Sequence, residues 1–373
     1  MKILFACGGT AGHINPALAV ADTIRKQHPD SKILFAGNPA GMEAQLVPKA
    51  GFPFAAIEIQ GFQRQLNWRN FRYNVRSAGY LMTASAKAKK IIRDFSPDIV
   101  MGTGGYVSGP ILRTASKLGI KTVTHEQNAF PGVTTKLLTR YADKVLLAVE
   151  EARAHLPEGR EYIVTGNPIR EDILFANREE ARQRLGVGER ICLLSFGGSL
   201  GARRINEAIA DLMAWHCEKG EIHHIHATGR YGTELFPQLL KSKGVDPQKH
   251  PQLDIREYID DMPDCLAAAD LVICRAGAIS LSELEAAGRA SILIPSPNVA
   301  ENHQYHNARV LADKNAAVLI EEKDLTGSQL CREVSQLVSD PQELRNIGKN
   351  AGSLAIIDAN RRICRELYAL LDP

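Results

Sequence analysis

Residues able to move a proton or hold a phosphate cluster at the ends of apolar runs. KILFAC (2–7) leads into GGTAGH (8–13), which wedges His13 into a glycine turn. IKTVTHE (120–126) ends on His125 and Glu126, the start of HEQN (125–128). In the second half, RICLLSF runs into GGSLGARR (197–204), and LVIC runs into RAGAISLSELEAAG (275–288). Glycines permit positive φ and let another molecule approach the backbone. A helix start adds unpaired N–H groups and a partial positive charge. The combination suits phosphate, with a histidine placed to take a proton near neutral pH.

Two common phosphate chemistries are excluded. A kinase-type P-loop needs GK[ST] after its glycines, and here Gly12 is followed by His13. A dinucleotide fold needs a carboxylate ending the second strand, but that strand ends Phe35-Ala36-Gly37-Asn38. His13 is therefore read as a general base rather than as a loop hydrogen-bonder. GGSLGARR, with Gly197, Gly198, Ser199 and Gly201, is a better pyrophosphate site than the first loop. Glu283 can accept both hydroxyls of a ribose diol; with Ser280 it also spells S-x-x-E, a capping box. HEQN is either functional or a structural hydrogen-bond hub. In HHIHATG (223–229) alternation puts His224 and His226 on one face, but no carboxylate or cysteine lies nearby in sequence, which disfavours a metal. ENHQYHNA (301–308) is too polar for core.

These groups need strands to present them. Apolar runs at 32–37, 97–102, 120–126, 145–150 and 162–168 alternate with helical stretches, and Asn15-Pro16 reads as the N-cap and first turn of the first helix. A second series follows: 190–198, a helix over 199–220, then 223–229, 271–277 and 290–296. The fold class is α/β: two Rossmann-like, doubly wound domains, joined near Thr165–Arg170, with their motifs facing across a cleft. The expected limits are 1–165 and 166–351, with a final helix at about 352–373 returning to the first domain.

The totals narrow the class. The chain has 373 residues, is 45% hydrophobic and 23% charged, and carries a net charge of +3. That excludes a globally polyanion-binding protein, and no nucleic-acid partner is expected. Seven scattered cysteines without a CxxC pair read as reduced cytosolic thiols. The start reads as a buried strand, not a signal peptide. Residues 61–93 hold eight basic and no acidic residues, with Phe62, Trp68, Phe71, Tyr73 and Tyr80 among them. That mixture suits an anionic membrane surface; the alternative is an ordinary amphipathic helix on the sheet.

GGTAGHINPALAVA, MGTGGYVSGP, HEQNAFPG, GNPIR, GGSLGARRIN, RAGAISLSELEAAG and HQYHNA occur in this order from Gly8 to Ala308. Together they resemble the MurG family, the bacterial glycosyltransferases that make lipid II. The resemblance implies a GT-B fold. It implies inverting transfer of N-acetylglucosamine from UDP-N-acetylglucosamine to the muramoyl 4-hydroxyl of lipid I, at the cytoplasmic face of the membrane and without cofactor or metal. Glu283 would bind the ribose, and Ala278, Ile279 and Ser280 with Gly198 and Ser199 the diphosphate. Arg170 would reach the donor, and His303 and Gln304 its sugar. From the first half, Thr10, Gly12 and Asn128 would complete the donor contacts, Thr10 also standing with His13 on the acceptor side. Gly9, Gly104, Gly105 and Tyr106 would meet the acceptor, the first loop cradling its pyrophosphate. His13 is the favoured base, with His125 and Glu126 the other catalytic candidates. Ala11, Leu200 and His303 depart from the family pattern and bear on the sugar contacts. The competing readings are another GT-B transferase with a different lipid acceptor, or a GT-B sugar-nucleotide epimerase.

Overall fold

The computed structural model describes residues 1–59 and 83–371. The chain divides into two compact units, Met1–Ile169 with Asp358–Pro373, and Arg170–Ile357. Both limits fall a few residues later than the sequence suggested.

Unit 1 is a seven-stranded sheet in the order β3-β2-β1-β4-β5-β6-β7, every pair parallel. Its centre is β1 (Lys2–Cys7) and β4 (Ile99–Gly104), flanked by β2 (Lys32–Gly37) and β5 (Lys121–Glu126). Continuous apolar runs form these strands because helices cover both faces. Ile3 and Phe5 point into one core, where Phe5 stacks on Phe35 with ring centroids 5.0 Å apart. Leu4 and Ala6 point into the other. The remaining strands, β3 (Phe54–Ala56), β6 (Lys144–Leu147) and β7 (Ile163–Val164), are short.

The first helix, α1, spans Ala11–Gln27, five residues earlier at its start than the Asn15-Pro16 signal indicated. Gly9, at φ +88°, turns the chain sharply after β1, and extended Thr10 becomes the N-cap. Pro16 sits inside the helix, where it withdraws only the donor that Gly12's carbonyl would have received. His13 is consequently in the first helical turn rather than ahead of it.

After α2 (Glu43–Lys49), helical residues 83–95 form α3. Ala84, Ala88 and Ile92 bury one stripe of it against the sheet, while Lys87 pairs with Glu58 and Lys90 with Asp94. This part of the basic stretch is an ordinary amphipathic helix. The rest of that stretch, including all five aromatic residues singled out above, lies outside the described residues.

Unit 2 repeats the plan with six parallel strands, β10-β9-β8-β11-β12-β13. Its centre is β8 (Ile191–Phe196) and β11 (Leu271–Cys274), beside β9 (Ile222–Ala227) and β12 (Ala290–Leu293); β10 (Leu253–Arg256) and β13 (Val318–Leu319) are its edges. The helix expected over 199–220 is confined to Arg203–His216, because Gly198 and Gly201 hold the preceding residues in a turn with φ of +92° and +84°. Ile205, Ala208, Ile209 and Leu212 are its buried face.

The last helix, Ala359–Tyr368, belongs to unit 1. It buries Ile363, Cys364 and Leu367 in the core that α1 lines, pairs Glu366 with Lys144 at 2.7 Å, and donates from the Tyr368 hydroxyl to Gln27.

Candidate active site

In each unit the strand order reverses beside the first strand, at β1/β4 and at β8/β11. Ligands of open α/β sheets bind at the carboxyl ends of the strands at such a reversal. The glycine motifs lie at these two points.

At the unit 1 reversal, Gly104 and Gly105 end β4 with φ of +113° and +80°. Ser108 lies between the two strand ends, its hydroxyl within 2.8 Å of the Ala6 carbonyl and 2.7 Å of the Gly104 carbonyl, either of which can accept its one hydrogen. Thr103 donates to the backbone carbonyl of His13 at 2.7 Å. A Cβ on Gly104 would lie 2.6 Å from His13 Nδ1, and one on Gly105 would lie 2.2 Å from the Gly8 carbonyl oxygen. Both glycines are therefore demanded by close packing of the two loops. Tyr106 beside them is 56% exposed.

His13 is partly buried, and its Nδ1 lies 3.0 Å from Gln127 Oε1. Gln127 continues inward: its Nε2 is 2.9 Å from His125 Nδ1, and His125 Nε2 is 2.9 Å from the Gly166 carbonyl. His125 is fully buried, and burial lowers its pKa so that it stays neutral. Glu126 is 3% exposed. Its oxygens accept from the Asn128 backbone and side-chain amides, the Gly132 N–H and the Thr135 hydroxyl. The expectation that His125 or Glu126 acts on substrate directly is corrected: both are enclosed and fully engaged, which is the hub reading of HEQN.

The first glycine loop also differs from expectation. Glu43, 1% exposed, lies behind it and accepts from the Gly9 N–H at 3.2 Å and the Asn38 N–H at 2.9 Å. A Cβ on Gly8 or Gly41 would come within 2.3 Å of this carboxylate. Several of these glycines thus make room for a buried charge. The Gly9 N–H is already spent inward, so Gly9 is corrected as an anion donor. Ala11 and Gly12, in the first turn of α1, are the amides that the helix leaves unpaired.

At the unit 2 reversal, α11 (Ala278–Ala287) starts directly after β11, with Gly277 as N-cap. Ser280 is therefore in the first turn and is no cap, so the capping-box reading fails. No acidic residue occupies that turn, and the N–H groups of Ile279 and Ser280 have no carbonyl of their own helix to meet. Gly288, in left-handed conformation, closes the other end. Glu283 is one turn in, its side chain 17% exposed, with Arg170 Nε 3.9 Å away; the same Nε lies 3.6 Å from Asp172. Loss of solvation pushes the Glu283 pKa up to about 7; Arg170 opposes this and Asp172 adds to it. Arg170 is the N-cap of a short helix, Glu171–Phe175. In the Gly197–Gly201 loop, Ser199 is exposed and its carbonyl accepts from Arg230 N–H. Gln304 Oε1 accepts from Ser296 N–H at 2.9 Å, and His303 Nδ1 is 2.8 Å from the Ala300 carbonyl.

The chain matches two family models: the glycosyltransferase family 28 N-terminal domain over residues 3–147, and its C-terminal domain over 192–362. It belongs to glycosyltransferase family 28. Relatives are similar along their whole length. One from Acetivibrio thermocellus is 45% identical over 97% of this chain and 96% of its own. One from Alkaliphilus oremlandii is 40% identical over the full length of both. Each is named UDP-N-acetylglucosamine--N-acetylmuramyl-(pentapeptide) pyrophosphoryl-undecaprenol N-acetylglucosamine transferase. The crystal structure of Acinetobacter baumannii MurG is 28% identical, covers 99% of each chain and superposes with a TM-score of 0.79. The GT-B architecture of family 28 and glycosyl transfer as its reaction class follow.

Against this family frame, unit 1 brings together His13, Thr10, Gly12, Gly104, Gly105 and Tyr106, with Asn128 nearby in the Glu126 network. Unit 2 brings together Glu283, Arg170 and the first turn of α11. Sequence reasoning missed Glu43 and Gln127. The signal for Glu43 was present in the glycines around it; Gln127 sat inside HEQN but carried no titratable group. His224 and His226 of β9 are hydrogen-bonded inside the core. Ser195 Oγ is 2.8 Å from both His224 Nε2 and His226 Nδ1, and His216 Nε2 is 3.0 Å from His224 Nδ1.

Proposed function

We propose that this chain transfers N-acetylglucosamine from UDP-N-acetylglucosamine to the muramoyl 4-hydroxyl of lipid I, with inversion, giving lipid II and UDP. The observations that carry the reading are, within unit 1, a half-buried histidine at the strand-order reversal and, within unit 2, a carboxylate and an acid-free helix start at the corresponding reversal. The names of the full-length relatives point the same way.

In this reading Glu283 accepts the two ribose hydroxyls of the donor. The first turn of α11, with Gly198 and Ser199, receives the diphosphate, and Arg170 adds charge. Helix N-termini then stabilise the leaving diphosphate without requiring a cation. Gln304 and His303 orient the sugar, assisted from unit 1 by Asn128, Thr10 and Gly12. Gly104, Gly105 and Tyr106 meet the acceptor. His13 takes the proton of the attacking hydroxyl as that oxygen bonds to the anomeric carbon, and the carbon–oxygen bond to UDP breaks with its electrons leaving on the diphosphate. A lipid-linked acceptor places the work at the cytoplasmic membrane surface. Among the described residues no helix is long and apolar enough to cross a membrane, which fits peripheral association.

The test uses purified protein, radiolabelled UDP-N-acetylglucosamine and a short-chain lipid I analogue. Labelled lipid should form, His13→Ala should lower kcat roughly 10²- to 10⁴-fold, and Glu283→Ala should act mainly on the donor KM. Donor binding without labelled lipid would move the acceptor to another lipid, and an epimerised sugar nucleotide would move the reaction class.

The raised pKa of Glu283 gives this assay a pH signature. Only the ionised carboxylate accepts two hydroxyl donors, and its ionised fraction falls as pH drops through about 7. The donor KM is therefore expected to rise by about tenfold between pH 8 and pH 6. Glu283→Gln should show a high KM with no such slope. A flat wild-type KM would remove Glu283 from the donor site.

A further inference from the structure

We infer that Gln127, backed by His125, is a positioning residue that fixes the tautomer of His13, protonating Nδ1 and leaving Nε2 as the basic nitrogen. The inference rests on the reading of His13 as the base, but its structural half stands alone.

The hydrogen-bond chain has two fixed ends. The Gly166 carbonyl can only accept, so His125 Nε2, 2.9 Å away, must carry a hydrogen. His125 is fully buried and carries one ring hydrogen when neutral, so its Nδ1 presents a lone pair. That lone pair faces Gln127 Nε2 at 2.9 Å, which donates. The same Nε2 is 3.0 Å from the His125 carbonyl, a second obligatory acceptor. The amide orientation is therefore set twice over, and Oε1 is what Gln127 turns to His13. An amide oxygen only accepts, so His13 Nδ1 must donate at 3.0 Å. Neutral imidazole in water prefers a hydrogen on Nε2. The network reverses that preference and holds the ring against rotation while Thr103 anchors the same residue's carbonyl.

The chemical consequence concerns a base that must be neutral before it acts. With Nδ1–H fixed, every neutral His13 offers Nε2 for the proton, and once protonated the ring still has an acceptor for Nδ1–H. Loss of the amide would leave most neutral rings in the other tautomer, unable to accept at Nε2.

The test is two-bond ¹H–¹⁵N correlation of the full-length protein with ¹⁵N-labelled histidine, the His13 signals being those absent in His13→Gln. The wild type should show protonated Nδ1 and bare Nε2. Gln127→Leu should return the ring toward Nε2–H and lower kcat roughly tenfold with the donor KM unchanged. His125→Phe keeps the carbonyl that orients Gln127, so His13 should retain its Nδ1–H. An Nε2–H tautomer in the wild type overturns the inference without reference to any variant's folding. So does an unchanged spectrum in Gln127→Leu. The expected tautomer together with an active His13→Gln would instead refute the base reading and leave the tautomer assignment standing.

Discussion

Unit 2 is expected to melt at a clearly lower temperature at pH 5 than at pH 7.5. Four histidines, His216, His223, His224 and His226, are buried there at 0–5% exposure. Burial lowers each pKa: that of His216 to about 4, that of His226 to about 3, that of His224 well below its ordinary value, and that of His223 also downward. The unfolded chain binds protons near pH 6.5 and the folded one does not, so the stability is complete above about pH 7. It drains as pH falls below 6.5, until the folded histidines themselves titrate near 4 and 3. His216 and His226 each cost about 2 kcal/mol at pH 5; His224 and His223 act in the same direction, while Glu283, whose folded pKa is about 7, offsets about 2 kcal/mol as it takes up its proton.

Calorimetry at pH 7.5, 6 and 5 measures this directly. His223 supplies the control. Neither of its ring nitrogens has a hydrogen-bond partner among the described residues, and the charge of Asp254 raises its pKa while those of Arg190, Arg182 and Arg256 lower it. His223→Leu should hold its neutral melting temperature and reduce the pH slope by one proton. Melting of unit 2 that ignores pH over this range would refute the argument.

The second large effect separates two adjacent glycines. Gly104→Ala, strained at φ +113°, is expected to lose some stability yet still fold, and to lose transfer activity by roughly 10²-fold with the donor KM intact. Its Cβ would meet the His13 ring, 2.6 Å from Nδ1, and a side chain can swing aside. Doing so takes Nδ1 off Gln127 and moves the base by a distance on which rates depend steeply. Gly105→Ala should instead fail to fold or melt far lower. Its Cβ would lie 2.2 Å from the Gly8 carbonyl oxygen and 2.9 Å from its carbon, at φ +80°. That obstacle is backbone and cannot rotate away. Thermal melts and kcat of the two variants check this; equal losses of stability would contradict it.

Central strands were legible in the sequence because a strand buried on both faces is an unbroken apolar run, as KILFAC and ICLLSF show. Edge strands mostly were not, although β7 fell within the run at 162–168. β3, β10 and β13 have three, four and two residues, and a run that short has no period. Helix starts were misread where local signals competed. Asn15-Pro16 is a strong cap signal, yet the Gly8–Gly9 turn brings the helix in earlier; S-x-x-E at Ser280 was outranked by Gly277. The ligand-facing loops were readable because glycine, histidine and hydroxyl residues are rare together at strand ends. What lies behind them was not, since Glu43 and Gln127 reach those loops from 34 and 114 residues away.

The final helix has a consequence for synthesis on the ribosome. Unit 2 is contiguous in the chain, from Arg170 to Ile357, whereas unit 1 is split around it. Unit 2 can close while the last residues are still inside the exit tunnel. The early segment cannot, because the places of Ile363, Cys364 and Leu367 beside α1 stay empty until the helix that carries them has been made. The nascent chain therefore carries an exposed apolar groove on its first-made half throughout translation of its second. The half made first is finished last, and a chain cut short before Ala359 would have unit 2 complete and unit 1 incomplete.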